Sequence, residues 1–328
     1  MEYVQLGERG PQVSTIGFGA WAIGGMNWGP TDDEISKKAL HSALDQGVTL
    51  IDTADVYGFG HSEELIAQVF AERPKGEVII ATKAGNDFYF ASVEDDEGYG
   101  PIRQNTDREY LIYAAEQSLK RLNVEALDIL QLHSPDLEKL EHEDPWEALR
   151  QLKKDGKIRY AGFSVQSFAE NEQAHLLDKY HELIDCIQVR YNILERDAEK
   201  ALFPKALKYG IGVIVRIPIL FGFLTGKFNK DSKFNQNDHR HMNLSPAKLQ
   251  KYLDQLTRIN ALYQRYPDQS MTQVSLRFCL THPACHTAIP GAKTPEQVID
   301  NCAASDLGSL SQSDIELIDS NLIGKNGE

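Results

Sequence analysis

Four side chains of complementary chemistry follow short, β-branched apolar segments: Asp52 at the end of Leu50-Ile51-Asp52, Tyr57 in Asp52-Thr53-Ala54-Asp55-Val56-Tyr57-Gly58, Lys83 after residues 78–82, and His133 after residues 127–132. A free phenol, with a pKa near ~10, is a reluctant proton donor at neutral pH. A neighbouring ammonium would stabilise the phenolate and lower that value, and a carboxylate would pair with the ammonium and hold it charged. Reduction of a carbonyl by hydride needs a proton at the oxygen as hydride arrives. Tyr57 is the expected donor, and as phenolate the base for the reverse oxidation, with His133 orienting and polarising the substrate oxygen. Singly, an Asp at a strand end is more often a turn residue and a lone His a satisfied polar group. Their joint placement at successive strand ends carries the expectation.

Those strand ends belong to a repeating pattern of short apolar run, loop and amphipathic stretch, which predicts parallel strands covered by helices. Strands are expected over 14–18, 49–52, 77–82, 126–131, 158–163, 186–189, 212–215 and 287–289. Helices are expected over 32–46 with Thr31 as N-cap, 107–122 after Thr106, 145–155 opened by a proline, 167–179, 198–209, 249–266, 270–281, 295–303 and 311–321. Residues 3–6, turned at 8–10 toward Val13, predict a hairpin that plugs the closed end. The fold class is α/β, a (β/α)8 TIM barrel with an N-terminal β-hairpin, formed by residues 1–328 as one domain. The long irregular stretches 85–104 and 221–246 both follow strands, so they are expected to cover a ligand at the C-terminal face. An open doubly wound sheet would need a glycine-rich turn leading from the first strand into a helix, and Gly17-Phe18-Gly19-Ala20 does not continue that way.

Composition narrows the classes further. With 48 acidic and 34 basic residues among 328, the net charge of −14 would repel a nucleic-acid backbone. Neither a leader pattern in the first twenty residues nor 18 successive uncharged apolar residues is found, so no membrane association and a cytoplasmic location are expected. Four well-spaced cysteines argue for reduced thiols. Cys279, His282, Cys285 and His286 mix metal-ligand types within eight residues but lack paired spacing, so a helix end before a buried strand is preferred to zinc and no metal is expected. His239-Arg240-His241 lies in a long polar loop, which leaves a metal-dependent barrel lyase or isomerase ranked low.

The motifs resemble the aldo-keto reductases over nearly the whole chain. They are Asp52 to Gly58 with Ser62-Glu63, Ala81-Thr82-Lys83, Leu127-Asp128-Ile129-Leu130-Gln131-Leu132-His133, Ser118-Leu119-Lys120-Arg121-Leu122 and Gly162-Phe163-Ser164. The resemblance, with its sugar- or inositol-related and channel β-subunit-like branches, implies a catalytic set of Asp52, Tyr57, Lys83 and His133. It also implies a nicotinamide cofactor touching Gly19, Ala20, Trp21 and Asp52, with Ser164 and Gln188 at its carboxamide. Val165 stands where an asparagine is common, a departure that bears on one of those hydrogen bonds. Arg216 stands where a tyrosine often stacks on the nicotinamide, and its planar guanidinium could stack as well.

Pro218, Gly222, Leu224, Gly226 and Lys227 resemble the pyrophosphate-covering loop, where glycines permit close approach and lysine adds charge. It is no phosphate loop of the Walker kind, since Phe221 replaces the first glycine. Gly291, Lys293, Gln297 and Asn301 surround a helix N-terminus suited to an adenosine 2′-phosphate. NADPH is therefore expected over NADH, with Gly291 and Gln297 standing where many relatives are basic. Trp21 and Trp28, with Tyr57 and His133, are expected at the substrate, and Phe88 and Tyr89 at the mouth. The acidic run 93–97 would face solvent and disfavour large anionic substrates. An NADPH-dependent oxidoreductase that reduces aldehydes or ketones, or oxidises the corresponding alcohols, sugars or polyols among them, by hydride transfer is the leading expectation. A nucleotide-sensing module with little turnover is the alternative. The oligomeric state is left open.

Overall fold

Each short strand buries side chains on both faces, so it must be covered by helices outside and close on its neighbours inside. The computed structural model describes residues 1–25, 28, 31–90 and 103–322. Eight parallel strands follow one another around the sheet: Phe18–Gly19, Leu50–Asp52, Ile79–Ala84, Leu127–Leu132, Ile158–Ser164, Cys186–Arg190, Gly212–Arg216 and Thr287–Ala288. Parallel bridges Ile16–Ala288 and Gly19–Gly291 join the last strand to the first and close the barrel. The Gly17 amide donates to the Ala288 carbonyl at 2.8 Å across this seam.

The hairpin Tyr3–Gln5 with Gln12–Ser14 lies ahead of the first barrel strand, as expected. Leu6 and Val13 pack into the barrel interior with Leu50, Ala81, Ile129, Cys186 and Ile214, sealing its N-terminal end. The first barrel strand is displaced from residues 14–18, because Gln12–Ser14 pairs in the hairpin and barrel pairing begins at Phe18. The third strand runs to Ala84 rather than ending at 82, which places Lys83 within the strand beside Gln131 of the next. At Gly162 any side chain is excluded: an added Cβ would lie 2.3 Å from the Cys186 carbonyl oxygen. That contact sets the register in which Ser164 stands opposite Gln188.

Several helix ends differ from expectation. Asp32, not Thr31, caps Asp33–Asp45, its carboxylate accepting from the Ile35 amide. Arg108–Leu122 starts one residue later than expected, with Asp107 at its N-cap making no side-chain cap hydrogen bond. Residues 167–179 form two short helices, Glu170–Gln173 and His175–Tyr180, preceded by Phe168 at φ 68°. Residues 198–209 divide into Asp197–Glu199 and Leu202–Lys208, and 249–266 into Pro246–Arg258 and Asn260–Gln264. No helix is expected after the second strand, yet His61–Glu72 is one. It begins after left-handed Gly60 with no side-chain cap, so it lacks the usual start signal. The run 93–97 lies outside the described residues.

His61–Glu72 carries Glu63 into the wall behind the rim. The Glu63 carboxylate accepts from Thr82 Oγ1 at 2.6 Å and from Arg121 Nε at 2.6 Å, with no solvent exposure of its side chain. Thr82 precedes Lys83, so this ion pair fixes the strand from which the lysine projects. Arg121→Ala leaves Glu63 buried and unpaired and is expected to cost about 3–5 kcal/mol in urea unfolding. Adding Glu63→Gln should recover part of that loss.

Candidate active site

The barrel opens at the C-terminal ends of its strands into a cavity of about 810 Å³, large enough for a cofactor-sized ligand. Asp52, Gln188, Ser164, Tyr57 and His133 line its floor. Lys83 stands just behind, 1% exposed. Its ammonium donates to Asp52 Oδ1 at 2.9 Å and Oδ2 at 2.8 Å, and to the Thr53 carbonyl at 2.8 Å. The Tyr57 hydroxyl is 3.5 Å from the same nitrogen. Gln188 Nε2 donates to Asp52 Oδ1 at 2.6 Å. The four residues expected to act together are therefore brought together.

Burial pushes the Asp52 carboxyl above its ordinary value, although Lys83 and Gln188 oppose the shift. Burial alone would lower the Lys83 ammonium, but Asp52 and Tyr57 outweigh it and Lys83 stays charged. The Tyr57 phenol corrects the sequence expectation: Lys83 pulls its pKa down, but burial outweighs it and the net shift is upward. The ammonium thus offsets a desolvation penalty rather than producing an acidic phenol. His133 meets the Tyr57 ring edge to face, centroids 5.6 Å apart. Burial, then Lys83 and Arg216, hold its imidazole well below its ordinary value, and its Nδ1 has no partner among the described residues. A neutral imidazole here can donate to or accept from a substrate oxygen beside Tyr57.

The expected cofactor positions sort clearly. Gly19, Trp21, Arg216, Pro218, Gly222, Lys227, Gly291, Lys293, Gln297 and Asn301 line the cavity, as does Trp28. Ala20, Leu224 and Gly226 do not: Ala20 and Leu224 are core residues, and Gly226 closes the turn Leu220–Thr225 in a left-handed conformation. Val165 offers only its backbone, its carbonyl accepting from Arg216 Nη2 at 2.9 Å. Burial and the neighbouring Arg190 bring the Arg216 guanidinium down to about 10, so it remains a cation at neutral pH. Ser164 Oγ shares a hydrogen bond with Ser134 Oγ at 2.9 Å, and Ser134 is a cavity residue that sequence reasoning missed.

Arg240, not singled out in the sequence, lies in the stretch 221–246 expected to cover a ligand, and its neighbourhood shows that residues 239–241 are more than a polar loop. Arg240 pairs with Asp238 and lines the cavity. His239 packs on Trp21 and Trp28, centroids 4.5 and 4.3 Å away. An antiparallel bridge between Trp28 and Asp238 ties this loop across the mouth. Lys293 Nζ donates to the Trp28 carbonyl at 2.8 Å. Lys227, Arg240 and Lys293 thereby crowd one end of the cavity. Burial, then Arg240, lower the pKa of both Lys227 and Lys293. A phosphate would relieve that crowding. Asn86, not singled out in the sequence but within the stretch 85–104 expected to cover a ligand, also lines the cavity. No motif marks Arg240 or Asn86, because folding of distant loops alone brings them to the cavity.

Cys279 and Cys285 flank a helix end and the approach to the last strand, and all four cysteines are free. Among the described residues, no three His, Cys, Asp or Glu side chains are grouped to hold a metal, and no helix is long and apolar enough to cross a membrane.

The depressed His133 value fixes a sign. The unfolded chain takes up a proton near pH 6.5 and the folded protein resists it, so stability is complete above that pH and falls as pH drops. Relative to His133→Asn, the protein should lose up to about 1.4 kcal/mol of unfolding free energy per pH unit below 6.5. Urea titrations at pH 7.5 and pH 5.5 measure the difference.

The family profile described as Aldo/keto reductase family matches residues 15–323. Aldo-keto reductase YhdN of Bacillus subtilis (strain 168) is 32% identical over 328 residues, spanning 98% of this chain and 95% of that protein. The NADH-specific methylglyoxal reductase of Escherichia coli (strain K12) is 31% identical over 333 residues, with 97% of each chain covered. The structure of the glycerol dehydrogenase AKR11B4 from Gluconobacter oxydans superposes with a TM-score of 0.82 at 31% identity, covering 99% of this chain and 96% of that one. This closed parallel barrel, with its profile match running almost end to end, belongs to the aldo/keto reductase family.

Proposed function

We propose that the chain is a cytoplasmic, single-domain NADPH-dependent reductase of small aldehydes and ketones, able to oxidise the corresponding alcohols or polyols. The observation that carries this is the Tyr57 hydroxyl on the cavity floor, 3.5 Å from an ammonium that Asp52 holds through both oxygens. The cavity suits the cofactor on its own chemistry. Gln188 and Ser164 offer polar groups deep inside, Arg216 presents a flat cation with an unpartnered Nε, and Lys227, Arg240 and Lys293 offer charge for phosphates. The bound cofactor supplies the hydride. A carbonyl oxygen is received between Tyr57 and neutral His133, which fix its orientation. Tyr57 passes its proton to that oxygen as charge develops there. Lys83 stabilises the resulting phenolate, and Asp52 keeps Lys83 charged and in place. Trp21, Trp28 and the loop over them exclude water.

A hydroxylated substrate is favoured because Asn86 brings a side-chain amide to the cavity that also holds Trp21, Trp28, Tyr57 and His133. The names of two relatives, a glycerol dehydrogenase and a methylglyoxal reductase, point to the same class of small oxygenated molecule. A complete proton-donor set gives no support to a purely sensing role. Tyr57→Phe should retain cofactor binding and lower kcat for glyceraldehyde reduction by roughly 10²–10⁴-fold, followed as NADPH oxidation. Phosphate-cofactor preference rests on the crowded cations, while an NADH-specific relative makes it a point for measurement. Lys293→Ala should weaken NADPH binding roughly tenfold or more and NADH binding much less, as read by fluorescence titration.

A further inference from the structure

We propose that Arg216 sets the balance between the two redox states of the bound cofactor, its uncompensated positive charge in the cavity wall disfavouring the cationic oxidised nicotinamide and favouring the neutral reduced one. This rests on the proposed seat of the nicotinamide against Ser164, Gln188 and Arg216. The geometry of the guanidinium supports it. Nη2 donates to the Val165 carbonyl at 2.9 Å and to Ser167 Oγ at 3.0 Å, which fixes the plane of the group. Nε is buried with no hydrogen-bond partner, and the guanidinium forms no ion pair among the described residues. The other cations close by are neutralised. Lys83 is held by both oxygens of Asp52, and Arg190, the register partner of Arg216, is gripped by both oxygens of Glu195. Glu170 and Asp52 act on Arg216 from beyond ion-pair distance. One unit of positive charge is therefore left facing the cavity beside Tyr57 and His133.

When hydride leaves the ring for the carbonyl carbon, and a proton leaves Tyr57 for the carbonyl oxygen, the ring gains one positive charge. An aromatic side chain packed on it would welcome that charge through its π face, whereas a guanidinium opposes it. This one residue therefore biases the protein toward holding reduced cofactor, and the same charge works against hydride departure from it. At partly screened separations of several ångströms, a like-charge contact changes the ratio of affinities by roughly ten- to a hundredfold.

Dissociation constants for NADP⁺ and NADPH, and for NAD⁺ and NADH, should be measured by tryptophan fluorescence on the unmodified protein, Arg216→Gln and Arg216→Lys. In the unmodified protein the oxidised form is expected to bind more weakly than the reduced form. Arg216→Gln should lower the oxidised-to-reduced ratio of constants by roughly tenfold or more, and Arg216→Lys, which keeps the charge, should hold it near the starting value. An unchanged ratio in Arg216→Gln, or a ratio in Arg216→Lys matching that of Arg216→Gln, overturns the proposal and leaves the proposed function standing. A ratio at or below one in the unmodified protein overturns it without any variant. Failure of all four nucleotides to bind the unmodified protein would instead overturn the proposed function, and the role of Arg216 with it.

Discussion

The ion pair between Lys83 and Asp52 is the constraint around which the rest of the rim is arranged. Both side chains are withdrawn from water, which is costly unless every donor and acceptor is met. Asp52 answers with both oxygens and receives Gln188 from the far side of the barrel, and Thr53 supplies a carbonyl. These contacts draw on the second, third and sixth strands, so closure of the barrel and satisfaction of the pair are one event. Tyr57 is then placed by a short turn from the same strand, with the Tyr57 amide donating to the Ala54 carbonyl.

That pair was legible in the sequence because it stands where apolar β-branched runs end, and parallel strands leave a barrel at one rim. The hairpin and the helix Pro295–Ala303 were legible for equally local reasons: a short turn between apolar pairs, and a proline at a helix start. What was not legible depends on distance or on solvent. The helix His61–Glu72 has glycine where a capping side chain would announce it. Phe168 adopts a positive φ that its type disfavours, delaying to Glu170 a helix that periodicity starts at residue 167. Arg240 lies in the stretch 221–246 expected to cover a ligand, but no local signal singles it out until Trp28 and Asp238 come together. The direction of the Tyr57 shift required knowing how much water burial removes.

Unfavourable backbone is concentrated where the loops turn over the cavity. Ser134, Ile217 and Phe221 line it with φ values of 49°, 56° and 57°, none of them glycine. Such residues cost roughly 1–3 kcal/mol each and persist only where surroundings over-determine them. Here Ser134 shares a hydrogen bond with Ser164, and Asn192 Nδ2 donates to the Ile217 carbonyl at 3.3 Å. The strain lies in turns immediately after strands, while the strands that carry Asp52 and Lys83 are regular.

The hairpin floor divides the molecule into two evolutionary jurisdictions. Leu6 and Val13 answer to packing alone, at the end opposite every polar group discussed above. Loops at the mouth are therefore free to lengthen, shorten or exchange residues without reopening the folding problem solved beneath them. A lineage built on this plan can diversify what enters the mouth, because the packing that closes the barrel floor lies at the end opposite it.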